Sequence, residues 1–464
     1  MDAVAVEAQI ATAVADGRLV ESRGGLYLPV FYKAEKEGAG RLAELSAVTY
    51  AEVPRDLIPP TSRLGHNYTP AQLDAIATAL RGGVSVLTGG PGSGKTTVLK
   101  GVIEALAGME KRVVLCAPTG RAAKRMSALT GHAATTIHSL LGYRQGEGYR
   151  RVEIDADVLI IDEGSMMEQV LFNHLLAALR PGTGVILVGD VDQLPAIGAG
   201  DVLRDLIDSG VVPVVRLCEN FRQAAGSGIA AAARAINAGR LPEEDPREDF
   251  VIIEESGATR IRERIVELMS RELPERRDLR PSDILVVTPQ QIGPLGARML
   301  NTELQRRLNP DAAGLTRGSV TLRLGDPVMQ RTNSRVRGVY NGETGRVTEV
   351  DAEAGTLGVE FSDGRHSTYT RTELGELTLA YATSVHKLQG SEARNIIFVV
   401  TTAHRPMLYR NLLYTGVSRA TDLCIIIGEP EALRHAIRTN PTRTRNTNFK
   451  QRLRKRFAQL RVES

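Results

Sequence analysis

The stretch Gly89-Gly90-Pro91-Gly92-Ser93-Gly94-Lys95-Thr96 lies between an apolar run, VSVLTG, and a helical pattern, TTVLKGVIEAL. It fits GxxxxGK[ST] in the strand–loop–helix context that this phosphate-binding loop requires. Glycine lets successive backbone N–H groups converge on phosphate oxygens, and the helix N-terminus adds partial positive charge. The candidate nucleotide contacts are therefore Gly90, Gly92, Ser93, Gly94, Lys95, Thr96 and Thr97. Lys95 reaches toward the β- and γ-phosphates, and Thr96 toward Mg²⁺. A strand feeding a helix in this way also demands a parallel sheet buried on both faces.

The rest of the chain supplies one. Short apolar strands alternate with helices: PAQLDAIATAL, RVVLCAP, GRAAKRMSAL, VLIID, a helix through MEQVLFNHLLAAL, and GVILVGD. The texture returns in DILVVTP, GARMLNTELQRRL, IIFVV and CIIIG, so two α/β motor halves are expected. They are placed at 61–212 and at 213–343 continued by 377–464. Between the parts of the second half, 344–376 reads as short strands broken by Gly/Asp turns, a small β-barrel insertion. Residues 1–60 read as a helix over Val4–Asp16, then a hairpin through GRLVESRGGLYLPVFY, then a Pro-punctuated linker. That segment is either winged-helix-like or a small packing domain, and it leaves open that the chain is a piece of a longer protein.

A chain of 464 residues has room for two to four domains. Its three cysteines, Cys116, Cys218 and Cys424, lack zinc or disulfide spacing and read as buried apolar groups. No apolar run approaches the ~20 residues of a membrane helix, and no signal-peptide pattern opens the chain. A cytoplasmic protein without a membrane partner is expected. Net charge is only +4, but the tail from Arg434 to Arg461 carries Arg438, Arg443, Arg445, Lys450, Arg452, Arg454, Lys455 and Arg456 with no acid. Such a tail is either a solvated helix face or a phosphate-binding element.

Asp162-Glu163 ends the strand VLII, where parallel sheets present ligands. Asp162 suits Mg²⁺, and Glu163 suits activation of the attacking water.

The ordered segments APTGRAAKRM (117–126), TIHSLLGYR (136–144), IIDEGSMM (160–167), LVGDVDQLPAIGAG (187–200), ENFRQ (219–223), YATSVHKLQGSE (381–392) and LYTGVSRAT (413–421) resemble superfamily 1 DNA helicases of the RecD-like branch, above all its stand-alone members. The resemblance runs from about Leu64 to the C-terminus. It implies two RecA-like motor domains, a Src-homology-three-like insertion, and ATP with Mg²⁺ as cofactors. It assigns Gln72 to the adenine edge and Phe221 to adenine stacking. Arg222 and Arg419 become the arginine fingers, Gln193 near Asp190 the γ-phosphate sensor, and Gly390 and Glu392 the neighbours of the sugar. One departure is Gly164, where the family usually carries Ala; it is expected only to loosen the turn after Glu163.

Single-stranded DNA contacts are expected from Pro118, Thr119, Arg121, Thr136, His138, Thr383, Ser384, His386 and Lys387, helped by Asn333 and Asn341. These side chains suit phosphate and sugar, which carry affinity without sequence information. His138 and His386 read alternatively as buried structural histidines. With no Trp and 4% aromatic residues, a long stacking ladder is not expected. The segment YRQGEGYRR within 142–152 reads as a strand-separating pin, with Gly146 turning, Gln145 at the tip and Tyr143 and Tyr149 flanking. The expected activity is ATP-driven 5′→3′ translocation and unwinding at single-strand/duplex junctions, in repair or recombination, by a monomer. The alternatives are a RecD-type subunit of a recombination exonuclease and a DNA-stimulated ATPase that does not unwind. No carboxylate cluster suggests a nuclease.

Overall fold

The computed structural model describes residues 3–47, 67–144, 146–150, 152–218, 227–245, 247–318, 320–334, 336–440 and 445–463. The chain divides into two compact units. One is Met1–Arg222 with Thr442–Ser464, the other Gln223–Pro441.

The first unit is built on six parallel strands. Their order across the sheet is Ala134–Thr136, Val113–Ala117, Val158–Ile161, Gly184–Gly189, Val84–Gly89 and Val214–Leu217. The central strands are buried along their whole length, as their unbroken apolar sequences require. Helices cover both faces. Pro70–Leu80 and Lys95–Gly108 pack Ile76, Leu80, Val102 and Leu106 against Leu87, Ile160 and Ile186. On the other face, Phe172, Leu175 and Leu206 meet Val86, Leu159 and Val185.

Two sequence expectations change here. The hairpin expected within 17–32 forms around Gly24-Gly25, but its strands are shorter than the segment. It pairs Val20–Ser22 with Gly25–Tyr27, and a helix spans Pro29–Ser46. Pro29 occupies the first helical turn, where its fixed φ and missing N–H cost nothing. The second change concerns the tail, which joins the first unit and not the second motor half. Its helix Phe449–Glu463 buries Phe449 and Leu453 completely, in the core cluster of Leu42, Phe172 and Leu206.

Several of the tail's arginines bond to protein. Arg452 Nε donates to Glu35 (3.0 Å), and Arg454 donates to the carbonyls of Ser209 and Asp208 (2.9 Å each). Arg456 lies 3.7 Å from Glu44. Part of the basic run that reads as solvated face or phosphate binder thus serves here in intramolecular pairing.

The second unit has five parallel strands in the order Ala382–Ser384, Ile284–Thr288, Ala393–Val400, Ala420–Gly428 and Phe250–Glu254. A five-stranded antiparallel sheet is appended, ordered His366–Thr370, Thr356–Phe361, Thr344–Asp351, Pro327–Gln330 and Leu377–Leu379. Two of these strands lie outside 344–376, so the small sheet reaches further along the chain than the turn pattern indicates. One apolar cluster runs through both parts, joining Val286 and Ile397 to Val328, Val347 and Leu357. The fully buried Asp326 ties them further. Its carboxylate accepts from Tyr381 Oη (2.8 Å), Asn309 Nδ2 (2.7 Å), Arg323 N (2.7 Å) and Gln305 Nε2.

Candidate functional site

Three adjacent strands deliver the first group of candidate residues. Val158–Ile161, Gly184–Gly189 and Val84–Gly89 run in register, with Ile161 beside Leu187 and Thr88 beside Gly189. Asp162-Glu163, Asp190–Gln193 and the glycine loop therefore leave the same edge of the sheet.

The glycine loop closes on itself. Ser93 Oγ donates to Gly90 O (2.8 Å), and Lys95 Nζ donates to the carbonyls of Gly89 (2.6 Å) and Gly90 (2.8 Å). Gly92 and Gly94 sit at φ 75° and 85°, a region costly for other residues. Gly94 caps the helix whose first turn carries Lys95, Thr96 and Thr97. The arrangement gathers donors and a cation at a helix N-terminus, and its chemistry is anion binding.

Asp162 Oδ1 accepts from the Glu163 backbone N–H (2.8 Å). Burial, then the adjacent Glu163 charge, pushes the Asp162 carboxyl up; Lys95 and Arg125 oppose this. Glu163 itself has φ 52° and ψ 42°, a left-handed conformation uncommon for a residue with a side chain. Strain of this kind persists only where the surroundings over-determine it. Here the surroundings are glycines. A Cβ on Gly164 would lie 2.9 Å from Leu187 Cδ1 and 3.0 Å from Val188 O, and one on Gly189 3.1 Å from Gly164 N. Gly164 thus permits close packing under Glu163, which corrects the expectation that it merely loosens the turn. Beside it, Gln193 Nε2 donates to Asp190 Oδ2 (3.1 Å), and both residues are buried.

Gln72 is 5% exposed and forms a capping box with Thr69. Its side-chain oxygen accepts from Thr69 N (3.0 Å). An oxygen so engaged fixes the amide orientation and leaves the NH₂ group as the donor end.

The second unit brings Gly390, Glu392 and Arg419 together. Arg419 is 3% exposed, and its Nη1 donates to Ser391 O (3.3 Å), between the other two. Phe221 and Arg222 lie outside the described residues.

The expected DNA contacts divide by placement. Pro118, Thr119, Arg121, Thr136 and His138 are partly exposed. Thr119 and Thr136 are helix N-caps, accepting from Ala122 N (3.2 Å) and Ser139 N (3.1 Å). Thr383 and Ser384 are buried, and Ser384 Oγ accepts from Gln291 Nε2 (2.6 Å). Lys387 is exposed and His386 half-buried. Burial lowers the pKa of both His138 and His386, which favours the neutral ring. Asn333 and Asn341 are exposed at the stem of one hairpin, where Asn341 N donates to Asn333 Oδ1 (2.8 Å).

Within 142–152 the chain makes one tight turn. Arg144 N donates to Gly148 O (3.0 Å), and Gly146 and Gly148 take φ 88° and 80°. Gln145 lies outside the described residues. Tyr143 and Tyr149 flank the turn with ring centroids 5.0 Å apart. Tyr149 packs inward against His174 with ring centroids 4.4 Å apart, whereas Tyr143 keeps its exposure.

Residues missed from sequence include Glu168, Arg204 and Arg445, which hold the loop after Gln193. Only the basic run around Arg445 signalled any of them.

Two parallel-sheet units, the first with a phosphate-binding loop at a strand end, place the chain in the P-loop α/β class. Three families match in order: the AAA domain over 67–263, the ATP-dependent RecD-like DNA helicase SH3 domain over 300–361, and the UvrD-like helicase C-terminal domain over 379–427. The RecBCD enzyme subunit RecD of Mycolicibacterium smegmatis is 30% identical over 474 residues, covering 92% of this chain and 82% of the relative. The chain belongs to the RecD family. It is also 38% identical to the ATP-dependent RecD2 DNA helicase of Deinococcus radiodurans, over 96% of its own length and 62% of that relative's. A solved structure of two coordinating Pif1 helicases at forked dsDNA shares the fold. Its TM-score is 0.53 at 20% identity, covering 81% of this chain and 95% of that one.

Proposed function

We propose that the chain is an ATP-driven motor that moves 5′→3′ along single-stranded DNA and unwinds duplex at single-strand/duplex junctions. The observation that carries this reading is the grouping of the Lys95 loop, the strained Glu163 and the Asp190–Gln193 pair on one sheet edge. In it Lys95 and the loop amides bind the phosphates, Glu163 orients and deprotonates water, and Gln193 senses the γ-phosphate. Gln72 donates to adenine and Phe221 stacks on it, while Gly390 and Glu392 border the sugar. Arg222 and Arg419 stabilise transition-state charge, an effect worth about 10³–10⁵ in rate in comparable systems. The Thr96 hydroxyl and the Asp162 carboxylate suit Mg²⁺, which takes few protein ligands and keeps its waters. When bound, the ion neutralises phosphate charge.

On the DNA side, partly exposed groups at helix N-caps and the cations Arg121 and Lys387 hold phosphates, while Pro118, His138, His386, Asn333 and Asn341 border the strand. Thr383 and Ser384 shape this surface from beneath. The turn at Gly146 and Gly148 is the pin. The protein acts in the cytoplasm as a monomer, in repair or recombination. Among the described residues no helix is long and apolar enough to cross a membrane. The Deinococcus relative, named an ATP-dependent helicase, and the Pif1 structure on forked dsDNA support a motor that separates strands over a passive switch.

Strand displacement on 5′-tailed, 3′-tailed and blunt duplexes tests the reading. The 5′-tailed duplex is expected to open with ATP. Glu163→Gln is expected to bind nucleotide without turnover, and Lys95→Gln to lose both. Wild-type turnover in either variant would overturn the site, and preference for a 3′ tail would overturn the polarity.

A further inference from the structure

The loop 194–200 begins immediately after Gln193 and contains Gly198 and Gly200. It has no regular secondary structure and exposes Ile197 at its apex (82%). Three residues distant in sequence hold it. Arg445, from the tail, donates Nη1 to Gly200 O (2.6 Å) and Gly198 O (3.0 Å), and Nη2 to Ala196 O (2.6 Å). Gly198 N donates to Glu168 Oε1 (3.1 Å), and Gln169 N donates to Ala199 O (2.9 Å). Arg204 closes the base, with Nη2 on Val191 O (2.7 Å) and Nε on Asp201 (3.2 Å).

The carbonyls of a short loop have no ladder to satisfy them, and a planar guanidinium can serve several at once. Arg445 does this for three carbonyls of one loop. The clamped loop lies against Glu168 and Gln169, which follow the Asp162–Met167 segment directly. A Cβ on Gly200 would sit 2.7 Å from Gln169 Cβ, so the packing leaves no slack. Arg445 thus holds the loop after Asp190–Gln193, and the loop's own bonds to Glu168 and Gln169 join it to the segment after Asp162-Glu163.

We infer that Arg445 is a positioning residue for ATP hydrolysis: it holds the loop that fixes Gln193 relative to Glu163. This inference rests on the proposed motor function. Loss of the clamp leaves phosphate binding by the Lys95 loop unaffected, because that loop is held by its own bonds. The cost falls on the geometry of the reacting groups, where small displacements are expensive.

The test compares Arg445→Ala, Arg445→Lys and Arg454→Ala. Arg454 sits on the same tail and bonds to Ser209 and Asp208, away from the loop. Single-strand-stimulated ATPase kinetics, thermal melting and amide exchange are measured for each. Arg445→Ala is expected to lower kcat about 10- to 100-fold with KM for ATP nearly unchanged. Its exchange is expected to quicken over 194–201 and stay unchanged over 89–97. Arg445→Lys, keeping charge and part of the bonding, is expected to fall between it and the wild type. Arg454→Ala is expected to melt earlier with kcat preserved. The inference is overturned if Arg445→Ala retains kcat, or if both alanine variants lose kcat in proportion to their loss of melting temperature. Absence of DNA-stimulated ATPase in the wild type would instead refute the motor reading, which separates the two failures.

Discussion

Glu163 and Gly164 show how one residue's packing constrains its neighbour's backbone. Glu163 is held at φ 52°, and Gly164 lies beneath it within contact of Leu187 and Val188. A methyl at 164 must push on a backbone carbonyl, which cannot yield as a side chain does. Gly164→Ala is therefore expected to destabilise the first unit by about 1–3 kcal/mol and to slow turnover by shifting Glu163. Urea unfolding together with steady-state ATPase checks it. A stable, fully active Gly164→Ala would show that the packing relaxes freely.

At the scale of elements, the turn at 144–148 and the tail helix each turn a local pattern into a fixed attachment. The turn's two tyrosines have different jobs. Tyr149 packs against His174, and burial raises its pKa; Tyr143 stands 38% exposed. Tyr149→Ala is expected to cost stability by about 1–3 kcal/mol. Tyr143→Ala is expected to leave stability alone and to lower unwinding with ATPase intact. Melting curves and strand-displacement rates separate the two, and an interchange of the effects would refute the division.

The tail helix meets the Pro29–Ser46 and Val202–Ser209 helices at a cluster of carboxylates. Thr447 Oγ1 lies 3.0 Å from Glu35 Oε1 and 2.9 Å from Asp205 Oδ2, but one hydroxyl proton serves one acceptor at a time. Burial first, helped by Asp201, Glu35 and Asp208, pushes Asp205 up to about 7, against an opposing bond from Thr447. The unfolded chain releases this proton near 3.8, so between the two values the folded state binds more protons. Stability from Asp205 is thus full below the lower value and is lost as pH rises through about 7. The slope reaches at most about 1.4 kcal/mol per pH unit. Asp205→Asn is expected to lose that slope and to exceed the parent in stability at pH 8. Urea midpoints at pH 5 and pH 8 decide it, and parallel pH profiles would sink the assignment.

For the whole molecule, the chain's path matters more than any single contact. It builds most of the first unit, then the whole second unit, and returns at Thr442 to complete the first. Phe449 and Leu453 fill that unit's core, and Arg452 pairs the buried Glu35, which without it keeps an uncompensated charge. Ending the chain at residue 440 is expected to remove more than about 3 kcal/mol from the first unit. Proteolysis or calorimetry should then show its transition lost while that of the second unit persists. An unchanged first transition would show that the tail is an accessory.

The sequence by itself determined the α/β class, the two sheets and the residues gathered along one edge of the first. These depend on local periods and on motifs such as Gly89–Thr96 and Asp162-Glu163, whose chemistry is written in consecutive residues. It also located the turn at Gly146 and Gly148, because positive φ selects glycine. It did not reveal that Pro29 opens a helix, since an apolar run of that length suits strand or helix equally. Nor did it extend the small antiparallel sheet to Pro327–Gln330 and Leu377–Leu379, whose pairing partners are remote in sequence. The burial of Thr383 and Ser384, the packing beneath Gly164 and the return of the basic tail were likewise decided only by tertiary structure. Each depends on which distant backbone arrives next to a residue. For Arg445 the consequence is largest: charge alone leaves solvent, phosphate and protein carbonyls equal as partners, and only the folded loop after Gln193 selects among them.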